Sequence, residues 1–174
     1  WYTHCLDTAA LPLEDYPGTH LIIIAGVGGE LITRFIQAIH RRHPHAQLDF
    51  LLCPIHQEYL LRQQLIALDF RLKEEVLVSE NRRFYEVLLV SAEQKGMAEW
   101  LKISPVGDTI WQADTPAQES IARRYLHKTL EHYQNSQKGN ADNVREALVA
   151  YRAVTISKAV HRRTEDIGVR LNMD

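Results

Sequence analysis

The chain has 174 residues, 45% of them hydrophobic and 24% charged, a balance typical of a globular protein with one domain or one domain and a small appendage. Its formal net charge of −2 excludes an overall basic field, so any surface that binds nucleic acid has to be a local patch. The longest apolar run, residues 21–25, is too short to cross a bilayer, and no signal peptide is evident. We therefore expect a cytoplasmic protein that has no membrane partner.

Residues 1–105 alternate short apolar runs with helical patterns, which indicates an α/β fold. The helices show an apolar residue every three or four positions, and the strands are short runs rich in β-branched and other apolar residues. In chain order, the predicted elements are a short strand at 1–6, a buried strand at 21–25, a helix from Gly28 to His43, a buried strand at 48–53 and a helix marked by Leu61, Leu65 and Leu68.

The pattern then changes. Residues 72–78 and 84–90 are predicted strands, and the polar turn between them has no room for a helix, so the pair forms an antiparallel hairpin. From residue 115 onward only helical periodicity remains, and Gly139 interrupts it. We predict an α/β unit at 1–105, an antiparallel helical hairpin at 115–163 and a tail at 164–174.

A glycine turn follows the strand at 21–25. Gly26 and Gly28 supply the first two glycines of a dinucleotide-binding G-x-G-x-x-G fingerprint, but Leu31 stands where the third glycine belongs. The strand at 48–53 also lacks the ribose-binding acid at its carboxyl end. Two interpretations stay open: the turn lets backbone approach a ligand at the end of a parallel strand, or it is only a tight strand-to-helix turn.

Metal-binding patterns are absent from the sequence. Cys5 and Cys53 match no metal or redox spacing, so we expect two free thiols in a reducing cytosol. The histidines of residues 40–45 have no carboxylate or cysteine at ligand spacing, so we expect no metal partner. Together with Arg41 and Arg42 they could clamp phosphate, but a solvated helix end is the favoured interpretation.

Three segments in order resemble the TrmK family, the bacterial tRNA (adenine(22)-N1)-methyltransferases. These segments are IAGVGGELI at 24–32, LLCP at 51–54 with Arg62 and Leu65 in the helix that follows, and ENRRFYEVLLV at 80–90. The triplet Leu6-Asp7-Thr8 is similar to the family's G-D-G, with Asp7 keeping the acid. The resemblance covers nearly the whole chain.

This resemblance implies a class I (Rossmann-like) methyltransferase sheet, S-adenosyl-L-methionine as the cofactor and N1 of a tRNA adenine as the methyl acceptor. The backbone of Gly26, Gly28 and Gly29 and the turn at Pro54 would then form the wall of the catalytic pocket. On the cofactor side we expect Asp7, Ala25 and Gly26. An ordinary capping or turn role for Asp7 is an equally supported alternative.

The departures from the family limit the function that the resemblance implies. Cys53 and Ile55 replace a glutamine and an asparagine of the family motif, and isoleucine cannot hydrogen-bond a base. The family's first two strands have no counterpart here, so we expect them to precede Trp1 and the chain to be the C-terminal two-thirds of such an enzyme. The alternative is a catalytically inactive, diverged RNA- or protein-binding module on the same scaffold.

Basic residues concentrate in the predicted helical hairpin. We predict that Arg123, Arg124, Lys128 and Arg152 bind the RNA backbone. A pair of merely solvated helices is the alternative, because such charges are also common on exposed helix faces. The sequence indicates no oligomeric state.

Overall fold

The computed structural model of the protein describes residues 3, 5–7, 10–92, 101–136 and 142–158. The strands are β1 (His20–Ala25), β2 (Leu48–Cys53), β3 (Arg71–Glu80), β4 (Arg83–Ser91) and β5 (Leu101–Lys102). The α-helices are α1 (Gly29–Arg42), α2 (Glu58–Ala67), α3 (Pro116–Ser136) and α4 (Asp142–Arg152). As predicted, α1 and α2 alternate with the first strands, and the helical pair follows the sheet.

The five strands form one sheet in the order β1-β2-β4-β3-β5. Strands β1 and β2 are parallel, whereas β4 is antiparallel to both β2 and β3. Asn81 and Arg82 connect β3 to β4 with φ of 47° and 62°. Positive φ at both central residues is what a type I′ hairpin turn requires. The predicted α/β sheet ending in an antiparallel hairpin is therefore confirmed, with longer strands and a shorter turn than the sequence suggested.

The strand predicted at residues 1–6 is wrong for the part of it that the structure describes. Thr3, Cys5 and Leu6 lie outside any strand. Leu6 is 43% exposed, so this segment buries too little apolar surface to offset the entropy of ordering a strand. Strand β1 instead lies at an edge of the sheet, and its Leu21 and Ile23 are exposed.

The main hydrophobic core holds β1, β2 and the two sheet-covering helices in a fixed arrangement. Six of its fully buried side chains are Ile32, Ile36 and Ile39 of α1 and Leu48, Phe50 and Leu52 of β2. Burial of one such side chain contributes about 1.5–3 kcal/mol. Because this core positions both parallel strands against α1, the loops that follow β1 and β2 lie next to each other.

A second, aromatic cluster joins the helical pair to the sheet. Tyr125 of α3 stacks on Trp111, with ring centroids 5.6 Å apart, and Trp111 contacts Tyr151 of α4 edge-on at 6.4 Å. Tyr59 of α2 and Phe84 of β4 belong to the same cluster. Helices α3 and α4 are therefore packed against α2 and the β3–β4 hairpin.

The division of the chain at residues 105 and 115 stays a prediction. The aromatic cluster contains side chains from both sides of that division. The helix break predicted at Gly139 and the tail predicted at 164–174 lie outside the described residues.

Candidate functional site

Two loops meet at the carboxyl ends of the parallel strands β1 and β2. Three backbone hydrogen bonds join them: the Gly26 amide to the Cys53 carbonyl at 3.3 Å, the Ile55 amide to the Val27 carbonyl at 3.1 Å, and the Gly29 amide to the His56 carbonyl at 3.0 Å. In open α/β sheets, ligands bind in the crevice outside the carboxyl ends of the strands. Residues 26–29, the glycine loop, and residues 54–57, the proline loop, therefore form one wall of the candidate site.

The three predicted glycines meet in this wall, each for a different physical reason. Gly26 has φ of 78°, a conformation that favours glycine, and a Cβ added there would meet no atom within 4 Å. A Cβ at Gly28 would collide with the imidazole ring of His56. A Cβ at Gly29 would lie 2.5 Å from the backbone oxygen of Gln57. Gly26 thus has open space beside it. At Gly28 and Gly29 the missing side chain leaves room for the proline loop to pack directly against the glycine loop.

A cleft of about 350 Å³ adjoins the two loops. Its lining includes Gly28, Glu30 and Arg34 from the α1 side and His56 and Gln57 from the proline loop. The Gln57 side-chain oxygen accepts a hydrogen bond from the Glu30 amide at 3.3 Å, which ties the proline loop to the start of α1. These polar residues were not among the predicted site residues, although His56 and Gln57 lie two and three positions after the motif residue Pro54 and could have been found from that position.

The other predicted site residues are Pro54 and Ala25, which lie at the strand ends, and Asp7, which precedes the sheet. Pro54 is buried between the strand end and Ile55, which is 52% exposed. Ala25 is the last residue of β1 and pairs with Cys53. Asp7 is exposed, and its backbone carbonyl accepts the Ala10 amide at 2.8 Å, a contact that agrees with the turn alternative. The roles of these residues toward a ligand stay predictions.

The motif residues Arg62 and Glu86 form a buried ionic network. Arg62 Nε donates to Glu86 Oε2 at 2.8 Å, and Arg62 Nη2 lies 2.7 Å from Glu75 Oε2. The Tyr125 hydroxyl donates to Glu86 Oε1 at 2.7 Å. All four side chains are buried. These residues therefore connect α2, β3, β4 and α3, which identifies the contribution of Glu86 as structural.

The same network shifts the pKa of two of its members, Glu75 and Tyr125, in opposite directions. Burial raises the pKa of Glu75, but Arg62 and the amides of Asp108 and Thr109 outweigh burial and hold that pKa below its usual range. Burial, and then the charge of Glu86, raises the pKa of Tyr125 well above its ordinary value. The Glu75 carboxylate stays ionised and the tyrosine stays a hydrogen-bond donor.

The predicted RNA-binding residues of α3 are exposed. Arg123 pairs with Glu119 one turn earlier at 2.6 Å. The Arg124 guanidinium and the Lys128 ammonium lie over the Phe84 ring, 5.4 and 5.8 Å from its centroid. These two cations thus have fixed positions beside an aromatic ring. The fourth predicted RNA-binding residue, Arg152, is exposed in the last turn of α4.

The basic end of α1 is occupied by the chain itself. His43 Nε2 is 3.0 Å from the Leu11 carbonyl, and Arg42 lies 3.5 Å from Glu14. These contacts hold the segment before β1 against the end of α1.

Two other kinds of feature are absent from the described residues. No group of three or more His, Cys, Asp or Glu side chains there is placed to hold a metal ion. Within the same ranges, no helix has both the length and the apolar character needed to span a membrane.

About half of the chain matches a known protein family. Residues 5–88 match the family described as a methyltransferase domain. That range contains the glycine loop, the proline loop and most of the sheet. No curated protein matches the chain significantly.

Solved structures share the fold. A proposed tRNA (m1A22) methyltransferase of Streptococcus pneumoniae, in complex with S-adenosyl-L-methionine, is 24% identical, with a TM-score of 0.53 over 76% of this chain and 58% of that one. A protein of the NADB-Rossmann superfamily from Streptococcus agalactiae is 21% identical, with a TM-score of 0.52 over 76% and 58%. M. capricolum TrmK in complex with S-adenosyl-homocysteine is 12% identical, with a TM-score of 0.50 over 76% and 57%.

The chain spans less than two thirds of the length of these structures. At such identities the likeness is one of fold, and it confirms the class I methyltransferase fold that the motifs implied. The chain therefore has a partial class I methyltransferase sheet with a methyltransferase-domain match over residues 5–88, and its resemblance to TrmK holds at the level of the fold.

Proposed function

We propose that this chain belongs to an S-adenosyl-L-methionine-dependent enzyme that methylates N1 of an adenine in tRNA. The observation that carries the proposal is the open glycine turn at the carboxyl ends of two parallel strands in a methyltransferase fold. Structures of the same fold contain S-adenosyl-L-methionine or S-adenosyl-homocysteine. The tRNA substrate is inferred from the names of those proteins and from the motifs.

The glycine turn fits a cofactor at the positions that the motifs predicted. A side chain at Gly26 would project into open space, so the space beside the Ala25–Gly26 backbone is free for a ligand to approach. When bound, S-adenosyl-L-methionine supplies an electrophilic methyl group. Ala25 and Gly26 would hold it through backbone contacts, and Asp7 is the predicted acidic partner.

Methylation at N1 of adenine is chiefly a positioning problem. N1 lies on the Watson–Crick edge, so the base has to leave its helix before the reaction. The neutral ring nitrogen is already nucleophilic, and alignment with the methyl group lowers the barrier. Gly28, Gly29 and Pro54 would form the wall beside the base. His56 and Gln57 offer hydrogen-bonding groups there, whereas exposed Ile55 offers only an apolar contact.

The charge distribution supports an RNA substrate bound on the helical side. The net charge of the chain is −2, yet Arg123, Arg124 and Lys128 lie within two turns of α3. Cations spaced along an exposed helix suit contacts with successive phosphates. We infer that α3 contacts the tRNA backbone while the loops at the sheet edge hold the base, with Arg152 of α4 as a further phosphate contact.

The experiment is methyl transfer by the full-length gene product, with S-adenosyl-L-methionine and total tRNA as substrates. Digestion of the tRNA and mass spectrometry should detect N1-methyladenosine, and the methylated position should map to one site. Transfer to another atom would contradict the assignment of the acceptor. A protein that binds RNA or another protein but transfers no methyl group would support the alternative of a non-catalytic module.

A further inference from the structure

A second cavity, of about 560 Å³, lies between the proline loop, α2 and the helical pair. His56 and Gln57 line both this cavity and the cleft beside the glycine loop. The two spaces therefore meet at the proline loop. A volume of this size is in the range of sites that bind small molecules or single groups of a larger ligand.

The walls of the cavity combine flat aromatic rings with amide side chains. Tyr59, Phe84 and Tyr133 supply the rings, and Gln57 and Gln63 supply amides. Single-stranded RNA is recognised by stacking of unpaired bases on aromatic side chains and by hydrogen bonds to the base edges. The lining of this cavity matches both requirements.

Glu58 places a carboxyl group in the cavity. It lies in the first turn of α2, where burial, and then the charge of Glu86, raises its pKa to about 7. A hydrogen bond from its own backbone amide and the charges of Arg62 and Lys128 lower this pKa, but they do not offset the effect of burial. A carboxyl group that is largely removed from water gains most from a partner supplied by a ligand. It can accept from an exocyclic amine or, when protonated, donate to a ring nitrogen.

Positive charge lies at the rim of the same cavity. Lys128 is among its lining residues, and its ammonium lies 5.8 Å from the centroid of the Phe84 ring. Arg124 contacts the same ring at 5.4 Å. Aromatic and hydrogen-bonding groups inside, with cations at the rim, complement a nucleotide whose base enters and whose phosphate stays outside.

We propose that this cavity binds one unpaired nucleotide of the RNA substrate, with its base beside Glu58 and Tyr133 and its phosphate at Lys128. The nucleotide is a second one, held near the nucleotide that undergoes methylation. The inference rests on the proposed function, because it takes RNA as the substrate. It adds a recognition site that is separate from the glycine loop.

A cavity-filling variant tests this inference. Thr129 lines the cavity on α3, so Thr129→Trp should fill it. Gln134→Trp adds the same side chain at an exposed position of α3 outside the lining and is the matched control. The measurement is the anisotropy of a labelled single-stranded oligoribonucleotide, with calorimetry of S-adenosyl-L-methionine binding in parallel.

Thr129→Trp should weaken oligoribonucleotide binding at least about fivefold, the lower limit for losing one stacked base. Gln134→Trp should bind within about twofold of the unchanged protein, and both variants should keep their affinity for S-adenosyl-L-methionine. Glu58→Ala removes the hydrogen-bonding group without filling the cavity and should weaken the same RNA about fivefold or more. If Thr129→Trp does not fold, the RNA affinity of Glu58→Ala tests whether the cavity binds a nucleotide.

RNA affinity unchanged in Thr129→Trp and Glu58→Ala would overturn the inference, as would failure of the unchanged protein to bind the oligoribonucleotide. Loss of S-adenosyl-L-methionine binding in Thr129→Trp alone would reassign the cavity to the cofactor and overturn it too. Methyl transfer to tRNA by the unchanged protein tests the proposed function separately. RNA binding that depends on the cavity without any methyl transfer would refute the proposed function and leave this inference standing.

Discussion

Arg62 of α2 and Glu86 of β4 are fully buried and lie 2.8 Å apart, 24 residues away from each other in the chain. Glu86 also accepts the hydroxyl of Tyr125 from α3, and Arg62 also pairs with Glu75 of β3. One guanidinium thus pairs with two carboxyl groups and indirectly holds the helical pair against the sheet. Isolated buried charges are costly, so this network depends on all of its members.

Arg62→Met should be strongly destabilising because it leaves Glu75 and Glu86 buried without their cation. We expect a loss of about 3–5 kcal/mol in the free energy of unfolding, measured by urea denaturation. The control is Arg123→Met, which removes an exposed ion pair with Glu119 on one helix face and should cost under about 1 kcal/mol. Equal losses in the two variants would contradict the structural role of the network.

Substitutions at the adjacent glycines should separate stability from activity. Gly29→Ala places a Cβ 2.5 Å from the backbone oxygen of Gln57, so the loops have to move apart, and we expect a loss of about 1–3 kcal/mol. The three atoms nearest to a Cβ added at Gly28 all belong to the His56 ring, at the end of a flexible side chain that we expect to rotate away, and serine is a favourable residue before a helix. Gly28→Ser should therefore remain nearly as stable as the unchanged protein.

The displaced His56 would intrude on the cleft, so Gly28→Ser should lower methyl transfer roughly tenfold to a hundredfold, measured as kcat/KM for tRNA. Unchanged kinetics would show that the glycine turn serves the fold alone. A stability loss in Gly28→Ser as large as that in Gly29→Ala would instead show that His56 cannot move.

Stability should depend on pH through Glu58. Because burial raises its pKa from 4.5 to about 7, the folded protein binds a proton in this window that the unfolded chain has already released. The folded state therefore loses stability as pH rises from about 4.5 through about 7. The glutamine side chain of Glu58→Gln stays neutral, so the variant should not lose stability at this position as the pH rises.

The comparison is urea denaturation of the unchanged protein and Glu58→Gln at about pH 5 and about pH 8. The stability of the variant relative to the unchanged protein should increase between these pH values by on the order of 1–3 kcal/mol. Glu131→Gln, which removes one exposed negative charge on α3, controls for the change in net charge. A constant difference between Glu58→Gln and the unchanged protein would mean that this carboxyl is ionised in the folded state throughout.

The basic surface of α3 should be visible in the salt dependence of tRNA binding. If Arg124 and Lys128 contact phosphates, their double replacement by alanine should lower the slope of log affinity against log salt by about 1.4–1.8. The base that is methylated should not change. The variant should also lose about 1–2 kcal/mol of stability, because both cations contact the Phe84 ring.

The matched control replaces Arg41 and Arg42, which lie at the end of α1, and removes the same total charge. Its salt slope should equal that of the unchanged protein. Equal slopes in the two double variants would indicate that α3 does not contact RNA, and a role in contacts with another protein would become the better interpretation.

Local sequence patterns were sufficient for strands β1 to β4 and the first two helices, whereas the two-residue strand β5 was not predicted. Apolar runs bounded by glycine or proline marked β1 and β2, because a buried strand needs both its ends and its side chains to suit the sheet. The segment between residues 78 and 84 is too short for the helical crossover that parallel strands need, so the sequence predicted an antiparallel hairpin. The same logic failed at residues 1–6, where the pattern was local but nothing in the described structure buries Leu6.

A site residue was predictable from the sequence only where its role depends on the conformation of its own backbone. Gly26, with its positive φ, is such a case, and its position after a strand was enough to single it out. The need for glycine at Gly28 and Gly29 comes instead from His56 and Gln57, which approach them from a loop about 28 residues later in the chain. A sequence does not display that approach, because it results from the parallel register of β1 and β2.

The sequence by itself determined the fold class, the glycine turn and the concentration of basic residues in α3, because each depends on composition or on neighbours within a few positions. Tertiary structure alone decided that Arg62 pairs with both Glu75 and Glu86. It also decided that Glu58 lines a cavity and that burial raises the pKa of its carboxyl group. The physical reason is that the ionisation and pairing of these groups depend on desolvation and on distances between elements. Both arise only when the helices pack on the sheet.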